Sequence, residues 1–179
     1  THCSSLKRVV LPKTLKRNLS QNVMTMHKIA GAFFVLFFLA SCSNDSEQVV
    51  LNNLNGKWDK KAEQKFDFKV TDAQNPKNII FVVRNNNDYP YSNIRMIVNF
   101  QDAQTKKKSI DTLNYIMAEP NGNWIGKGFG DTKEIHFQYK VGYKFPANGN
   151  YSIGIIQAMR NDNLPGIEDI GVKIETAKP

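Results

Sequence analysis

Few side chains in this 179-residue sequence could do chemistry, and the pattern around each narrows what that chemistry would be. Behind residue 41 there is one sulfhydryl, Cys42, and one imidazole, His136. A metal site built from two or three histidines is thereby excluded for that stretch. His136 as a general base would need a serine and an orienting acid brought to it by the fold. The nearest match to a nucleophile elbow, Gly149-Asn150-Tyr151-Ser152-Ile153-Gly154, is one residue too long. The segment 122–130 (GNWIGKGFG) has the composition of a phosphate loop, but Gly122 stands too close to Gly126-Lys127, and Gly128 replaces the hydroxyl residue. Its glycines suit tight turns beside Trp124 and Phe129, with Trp124 either a core plug or an exposed platform for a sugar or a partner. The run Asn85-Asn86-Asn87-Asp88-Tyr89-Pro90-Tyr91-Ser92 aligns oxygen-bearing side chains that could ligate calcium, although it holds a single carboxylate. The other reading is a turn whose Tyr89 and Tyr91 pack over the end of the domain or are offered to a partner. No acid–base or nucleophile set emerges. The sequence therefore reads as non-enzymatic, with no cofactor, metal or small-molecule ligand assigned.

Cys42 differs from these because of what precedes it. Met26-His27-Lys28 gives a short positive start, and residues 29–40 are apolar apart from glycine. That length lies within the roughly 7–15 residues of a signal-peptide core and below the about 20 needed to cross a bilayer as a helix. Leu39-Ala40-Ser41-Cys42 resembles the bacterial lipobox, in which a peptidase cleaves before the cysteine. The cysteine sulfur is then acylated, as is the new amino terminus. The polar Ser43-Asn44-Asp45-Ser46-Glu47-Gln48 that follows offers no continuing helix face to bury, which argues against a core helix. Two or more acyl chains, at roughly 0.8 kcal/mol per buried methylene, give stable membrane residence.

This leader divides the chain. Residues 1–25 carry Lys7, Arg8, Lys13, Lys16 and Arg17 without an acid, and are expected to be an extension upstream of a start at Met26, with Met24 the second choice; the alternative is a long positive segment of the signal itself. Residues 26–41 are the signal peptide, 42–56 an asparagine-rich lipidated tether, and 57–179 the folded domain. The formal charge of +8 is carried largely by the leader: behind residue 41 the chain holds 18 basic against 16 acidic residues. With no basic stripe beyond Lys106-Lys107-Lys108, which suits a solvated turn, nucleic acid is not an expected partner. Cys42 is also the sole cysteine of that part, so burial and sheet hydrogen bonding must hold the domain.

Period-two alternation over Phe66–Val70, Ile94–Phe100 and Glu134–Tyr143 predicts strands with one wet face. The continuous apolar run Asn78–Arg84 predicts a more buried one. Ser109–Met117, Tyr151–Met159 and Ile167–Thr176 complete seven to eight strands, and Gln157–Arg160 is the best helix candidate. The separators Asn75-Pro76, Asn85–Asp88, Pro120–Asn123 and Ala147–Asn150 carry turn chemistry. The pattern is that of an all-β chain forming a single antiparallel β-sandwich, Ig-like or jelly-roll-like.

Four stretches, RNNNDYPYSNIRMIV (84–98), GNWIGKGFGD (122–131), GNYSIGIIQAMR (149–160) and GIEDIGVKIE (166–175), together resemble the gliding-motility lipoprotein GldH family of Bacteroidetes-type bacteria. That resemblance implies an envelope lipoprotein without catalytic residues, with only Cys42 carried over, as the site of lipid attachment. The expected function is a membrane-anchored, non-catalytic component of the gliding or associated secretion machinery at the outer membrane, on either of its faces. Its partners would be the membrane, through Cys42, and proteins of that apparatus. The first candidate partner surface is Asn85, Asn86, Asn87, Asp88, Tyr89 and Tyr91, then Trp124. A carbohydrate-binding sandwich, with these aromatic rings stacked on sugars, is the alternative. Intact mass of the envelope form should correspond to a chain beginning at acylated Cys42, and Cys42→Ala should abolish palmitate labelling. Recovery of peptides from residues 1–20 in cells would overturn the division drawn at Met26.

Overall fold

The computed structural model describes residues 47–178, so Cys42, the leader and residues 1–25 lie outside the described part. Ten strands follow one another: β1 (Glu47–Asn53), β2 (Lys57–Asp59), β3 (Gln64–Val70), β4 (Lys77–Asn85), β5 (Asn93–Asp102), β6 (Lys108–Ile116), β7 (Lys133–Tyr143), β8 (Gly149–Gln157), β9 (Asn163–Pro165) and β10 (Ile167–Thr176). The alternation read from sequence is the alternation of burial. In β3, Phe66, Phe68 and Val70 point inward while Lys65, Asp67 and Lys69 point to solvent. β4 is buried along nearly its whole length.

These strands pair antiparallel into two four-stranded sheets, ordered β1-β10-β4-β7 and β3-β8-β5-β6, with β2-β9 as a two-stranded ribbon. The five rungs β1–β10, β2–β9, β3–β8, β4–β7 and β5–β6 are nested one inside the next. A long double ribbon folded over in this way is the jelly roll, which selects between the two sandwiches expected. Trp58, Phe66, Phe81, Ile94, Met96, Ile153, Ile155 and Ile170 fill the space between the layers.

Two expectations are corrected. The tether does not extend to Gly56: its apolar island Val49-Val50-Leu51 belongs to β1, which pairs with β10 from Glu47↔Glu175 to Asn53↔Asp169. Gly171 permits that approach, because a Cβ there would lie 2.4 Å from the Leu51 side chain and 2.7 Å from the Val50 carbonyl. Nor does Gln157–Arg160 form a helix. The fully buried Gln157 side chain donates to the Asn161 carbonyl (2.8 Å) and accepts from the Met159 N–H (2.9 Å), satisfying the backbone of a bend instead.

The open sides of the sandwich are joined by side chains. Between β1 and β3, Gln48 Nε2 donates to the Lys69 carbonyl (2.8 Å) and Asn52 to Gln64 (3.2 Å). Between β6 and β7, Tyr115 stacks on Phe137 with ring centroids 4.4 Å apart, and its hydroxyl donates to the Gln138 carbonyl (3.1 Å). Tyr139 donates its hydroxyl to Asp111, which also receives Lys140 at 3.1 Å. The Tyr139 hydrogen bond, followed by Lys140, holds the Asp111 carboxyl below its ordinary value of 3.8. Folded Asp111 thus binds its proton less tightly than unfolded Asp111, so its contribution is complete above that ordinary value and is lost as pH falls below it. Tyr139→Phe should cost about 1–2 kcal/mol at neutral pH. It should also flatten the loss of stability on acidification below about pH 4, measured by urea unfolding across pH.

Candidate functional site

At the end of the sandwich where β4 stops and β5 begins, four connections meet: 86–92, 117–132, 158–162 and the β9–β10 corner at Gly166. Asn86 organises the first. Its side-chain oxygen accepts from the Asp88 N–H (2.9 Å), its N–H donates to the Gly166 carbonyl (2.9 Å), and its amide group reaches Glu168. The Asn85 side chain, buried, donates to the Asn86 carbonyl (3.2 Å), and Asn87 donates to Asp131 across the gap (3.0 Å). Gly166 has φ +78°, and a Cβ on it would lie 2.2 Å from the Tyr89 nitrogen. Only glycine lets this loop rest on the β9–β10 corner.

Beneath the loop the aromatic residues form one cluster. Tyr89 is 3% exposed, and its hydroxyl donates to the Asn93 carbonyl (2.8 Å). Burial, reinforced by Tyr91, pushes the phenol well above its ordinary value. Tyr91, half-buried, stands edge-on to Tyr89 at 5.9 Å and donates to Asn161 Oδ1 (2.6 Å). Trp124, also half-buried, tilts against Tyr89 at 6.2 Å. It is held by its bridge to Ala118 and by the Ile125 N–H on the Met117 carbonyl (2.9 Å). The structure therefore brings Asn85, Asn86, Asn87, Asp88, Tyr89, Tyr91 and Trp124 to one place, with the tyrosines packed over the end of the domain, while Cys42 lies outside the described residues. Of the loop positions singled out, Asn87 and Asp88 are exposed. The oxygens of Asn86 and Asp131 serve hydrogen bonds within the loops themselves. Among the described residues no group of three or more His, Cys, Asp or Glu side chains is arranged to hold a metal ion.

The glycine-rich segment does something sequence reading missed. It doubles back on β7 through paired Lys127–Glu134 backbone bonds of 2.9 and 2.8 Å. Gly126 and Gly128 make this possible, since Cβ atoms there would lie 2.9 Å from the Glu134 carbonyl and 2.2 Å from the Thr132 carbonyl. Its tip presents Phe129 fully to solvent, at 101% exposure, with Ile125 44% exposed nearby. The available signal was an aromatic ring between two glycines, Gly128-Phe129-Gly130, which suits a turn tip better than a strand.

Beside Phe129 lies an open cleft of about 460 Å³ lined by Arg84, Lys127, Glu134 and Asp169. Arg84 Nε donates to Glu134 (2.7 Å) and its other end approaches Asp169 (3.6 Å). His136 Nε2 lies 2.8 Å from the second Glu134 oxygen. The Arg84 hydrogen bond, ahead of that from His136, holds the Glu134 carboxyl below its ordinary range. A carboxylate kept ionised between a guanidinium and an imidazole is suited to fixing geometry and poorly suited to donating a proton.

Comparison with known proteins places this architecture. The family model described as GldH lipoprotein matches residues 50–174. A "Gliding motility lipoprotein GldH homolog" from Christiangramia forsetii is 36% identical over 149 residues, covering 79% of this chain and 91% of the relative. The "Gliding motility lipoprotein GldH" of Flavobacterium johnsoniae is 35% identical over 144 residues, covering 76% and 89%. Among solved structures, the CBM22-1–GH10 modules of a Clostridium thermocellum endo-1,4-beta-D-xylanase complexed with xylohexaose overlap with a TM-score of 0.35 at 11% identity. That overlap spans 74% of this chain and only 26% of the xylanase chain, and carries no argument about function. The sequence relationships do: this chain belongs to the GldH lipoprotein family.

Proposed function

We propose that this lipoprotein, associated with gliding motility through its family, is a non-catalytic interaction component of the motility or associated secretion machinery, held by acylated Cys42 at the outer membrane. The observation that carries the interaction role is Phe129. A fully exposed ring on a glycine-braced tip leaves unburied a side chain worth about 1.5–3 kcal/mol on burial. The tip is tied to β7 and to the Asn85–Tyr91 loop, so docking on it orders little new structure, and preorganisation of this kind favours affinity.

The contact surface is Phe129, Ile125, Asn87 and Asp88, supported from beneath by Asn85, Asn86, Tyr89, Tyr91 and Trp124. Its partner is a protein of the apparatus, which the anchor brings to high effective concentration by confining both to one membrane layer. The ionisable groups beside the surface support a non-catalytic reading, because Arg84, Glu134, His136 and Asp169 are committed to one another.

Phe129→Ala/Asp88→Ala should leave thermal stability within about 0.5 kcal/mol of the parent. It should weaken capture of motility or secretion components from detergent-solubilised membranes by about 2 kcal/mol, roughly 30-fold. Cys42→Ala should abolish that capture from the membrane fraction. Full capture and normal gliding by the double variant would refute this surface.

A further inference from the structure

The nested ribbon leaves the two ends of the sandwich chemically unlike. One end, described above, carries the aromatic cluster and charges of both signs, among them Asp88, Asp131 and Asp162 with Lys60, Lys127 and Lys133. The other collects the start of β1, the end of β10 and the 71–76, 103–107 and 144–148 turns. Hydrogen bonds join these parts: Ala73 N–H to Asn148 Oδ1 (2.7 Å), Ala103 N–H to the Asn150 carbonyl (3.0 Å) and Ala177 N–H to the Pro76 carbonyl (2.9 Å).

This second end is rich in lysine, and its carboxylates are already engaged. Glu47 and Glu175 share Lys173 at 2.9 and 3.1 Å, and Asp72 lies 3.8 Å from Lys77. Asp102 accepts from the Gln104 and Thr105 N–H groups and from the Thr105 hydroxyl, closing the β5–β6 turn. Lys69, Lys106, Lys107, Lys108, Lys144 and Lys178 remain, all exposed, with no carboxylate within 4.0 Å among the described residues. Val141, 72% exposed, stands on β7 near the same end.

The strand β1 begins at this end, and Cys42 precedes Glu47 by five residues. Five residues span at most about 18 Å, whatever their conformation. We propose that the lysine-rich end rests on an anionic phospholipid surface and holds the domain upright, so that the Phe129 end points away from it. This rests on the acylation of Cys42. The chemistry is complementary: the lysines of this end outnumber its described carboxylates Glu47, Asp72, Asp102 and Glu175, and their exposed ammonium groups meet lipid phosphates, within reach of the acyl chains. Each lysine at such a surface strengthens residence there about fivefold, an effect that falls off within a Debye length. The anchor alone fixes only that the domain stays at the membrane; the lysines fix which way it faces.

The test uses the mature lipidated protein, reconstituted into phosphatidylcholine vesicles with or without phosphatidylglycerol and containing brominated lipid as a quencher. A fluorophore is placed on Ala147→Cys at the lysine end or on Phe129→Cys at the other. With phosphatidylglycerol, the label at 147 should be strongly quenched and the label at 129 should not. Omitting phosphatidylglycerol should remove the difference. So should about 1 M salt, where the Debye length is about 3 Å, or Lys69→Gln/Lys107→Gln/Lys108→Gln/Lys144→Gln. Equal quenching at the two positions in the anionic vesicles, or quenching at 147 indifferent to lipid charge, overturns the orientation. The parent protein, lacking an introduced cysteine, should take up no label. Labelling of its Cys42 would instead sink the acylation on which the proposal stands.

Discussion

The structure depends on one constraint, the nesting of its strand pairs. β5 meets β6 across a short turn, and each further rung encloses the last, until Glu47 at the start of β1 lies opposite Glu175 at the end of β10. The entropic cost of closing a rung grows with the chain it encloses, so the innermost hairpin is cheap and the outermost is not. A fold built from such non-local contacts forms slowly. It also resists slip, because moving β3 by one residue would turn Phe66, Phe68 and Val70 to solvent and bring Lys65, Asp67 and Lys69 inward. The same winding fixes which connections share an end, and therefore which side chains can ever act together. The residues of 84–91 and Trp124 are far apart in sequence, and both are delivered to one end by β4 and by the long β6–β7 connection.

That delivery needs local exceptions to regular pairing. The β10–β4 register shifts between Ile167 and Asp169, immediately beyond the left-handed Gly166, and this irregular corner is where the Asn86 loop is seated. Tyr89 then fills the space under the loop. A loop carrying four consecutive amide or carboxylate side chains is thus held rigid by its own hydrogen bonds and by a buried ring. The alternative, a mobile polar turn, would lose more entropy on binding anything.

Much of this was legible in the sequence. Period two is a direct consequence of pleat geometry, so β3, β5 and β7 announce themselves, as does the continuous run of β4 buried on both faces. β1 was hidden because a strand at a sheet edge shows little alternation: Val49, Val50 and Leu51 are all partly exposed. β2 and β9 have three residues each, too few for any period to register. The site was half legible. Asparagine and tyrosine content marked the right loop, but composition cannot say which ring of a Tyr-Pro-Tyr sequence turns inward. Here the hydroxyl partners decide it, with Tyr89 bonded to a backbone carbonyl inside and Tyr91 reaching outward to Asn161. Phe129 escaped notice because apolar residues are read as core by default, and its exposure follows from glycines whose closeness to β7 only the fold reveals.

The charged row beneath Phe129 has a role that its exposure conceals. Asp169, Arg84 and Glu134 are registered neighbours on three adjacent strands, acid, base and acid in line. With Arg84 and Glu134 more than a third exposed, the row contributes little to stability. It can still discriminate between registers, since sliding β7 by one residue would set Lys133 opposite Arg84 in place of Glu134. Glu134 is also the residue to which the glycine-rich turn is clamped, through both of its backbone groups. An interaction too weak to hold the sheet together is therefore strong enough to say where β7 stops sliding, and with it where the Phe129 tip is presented.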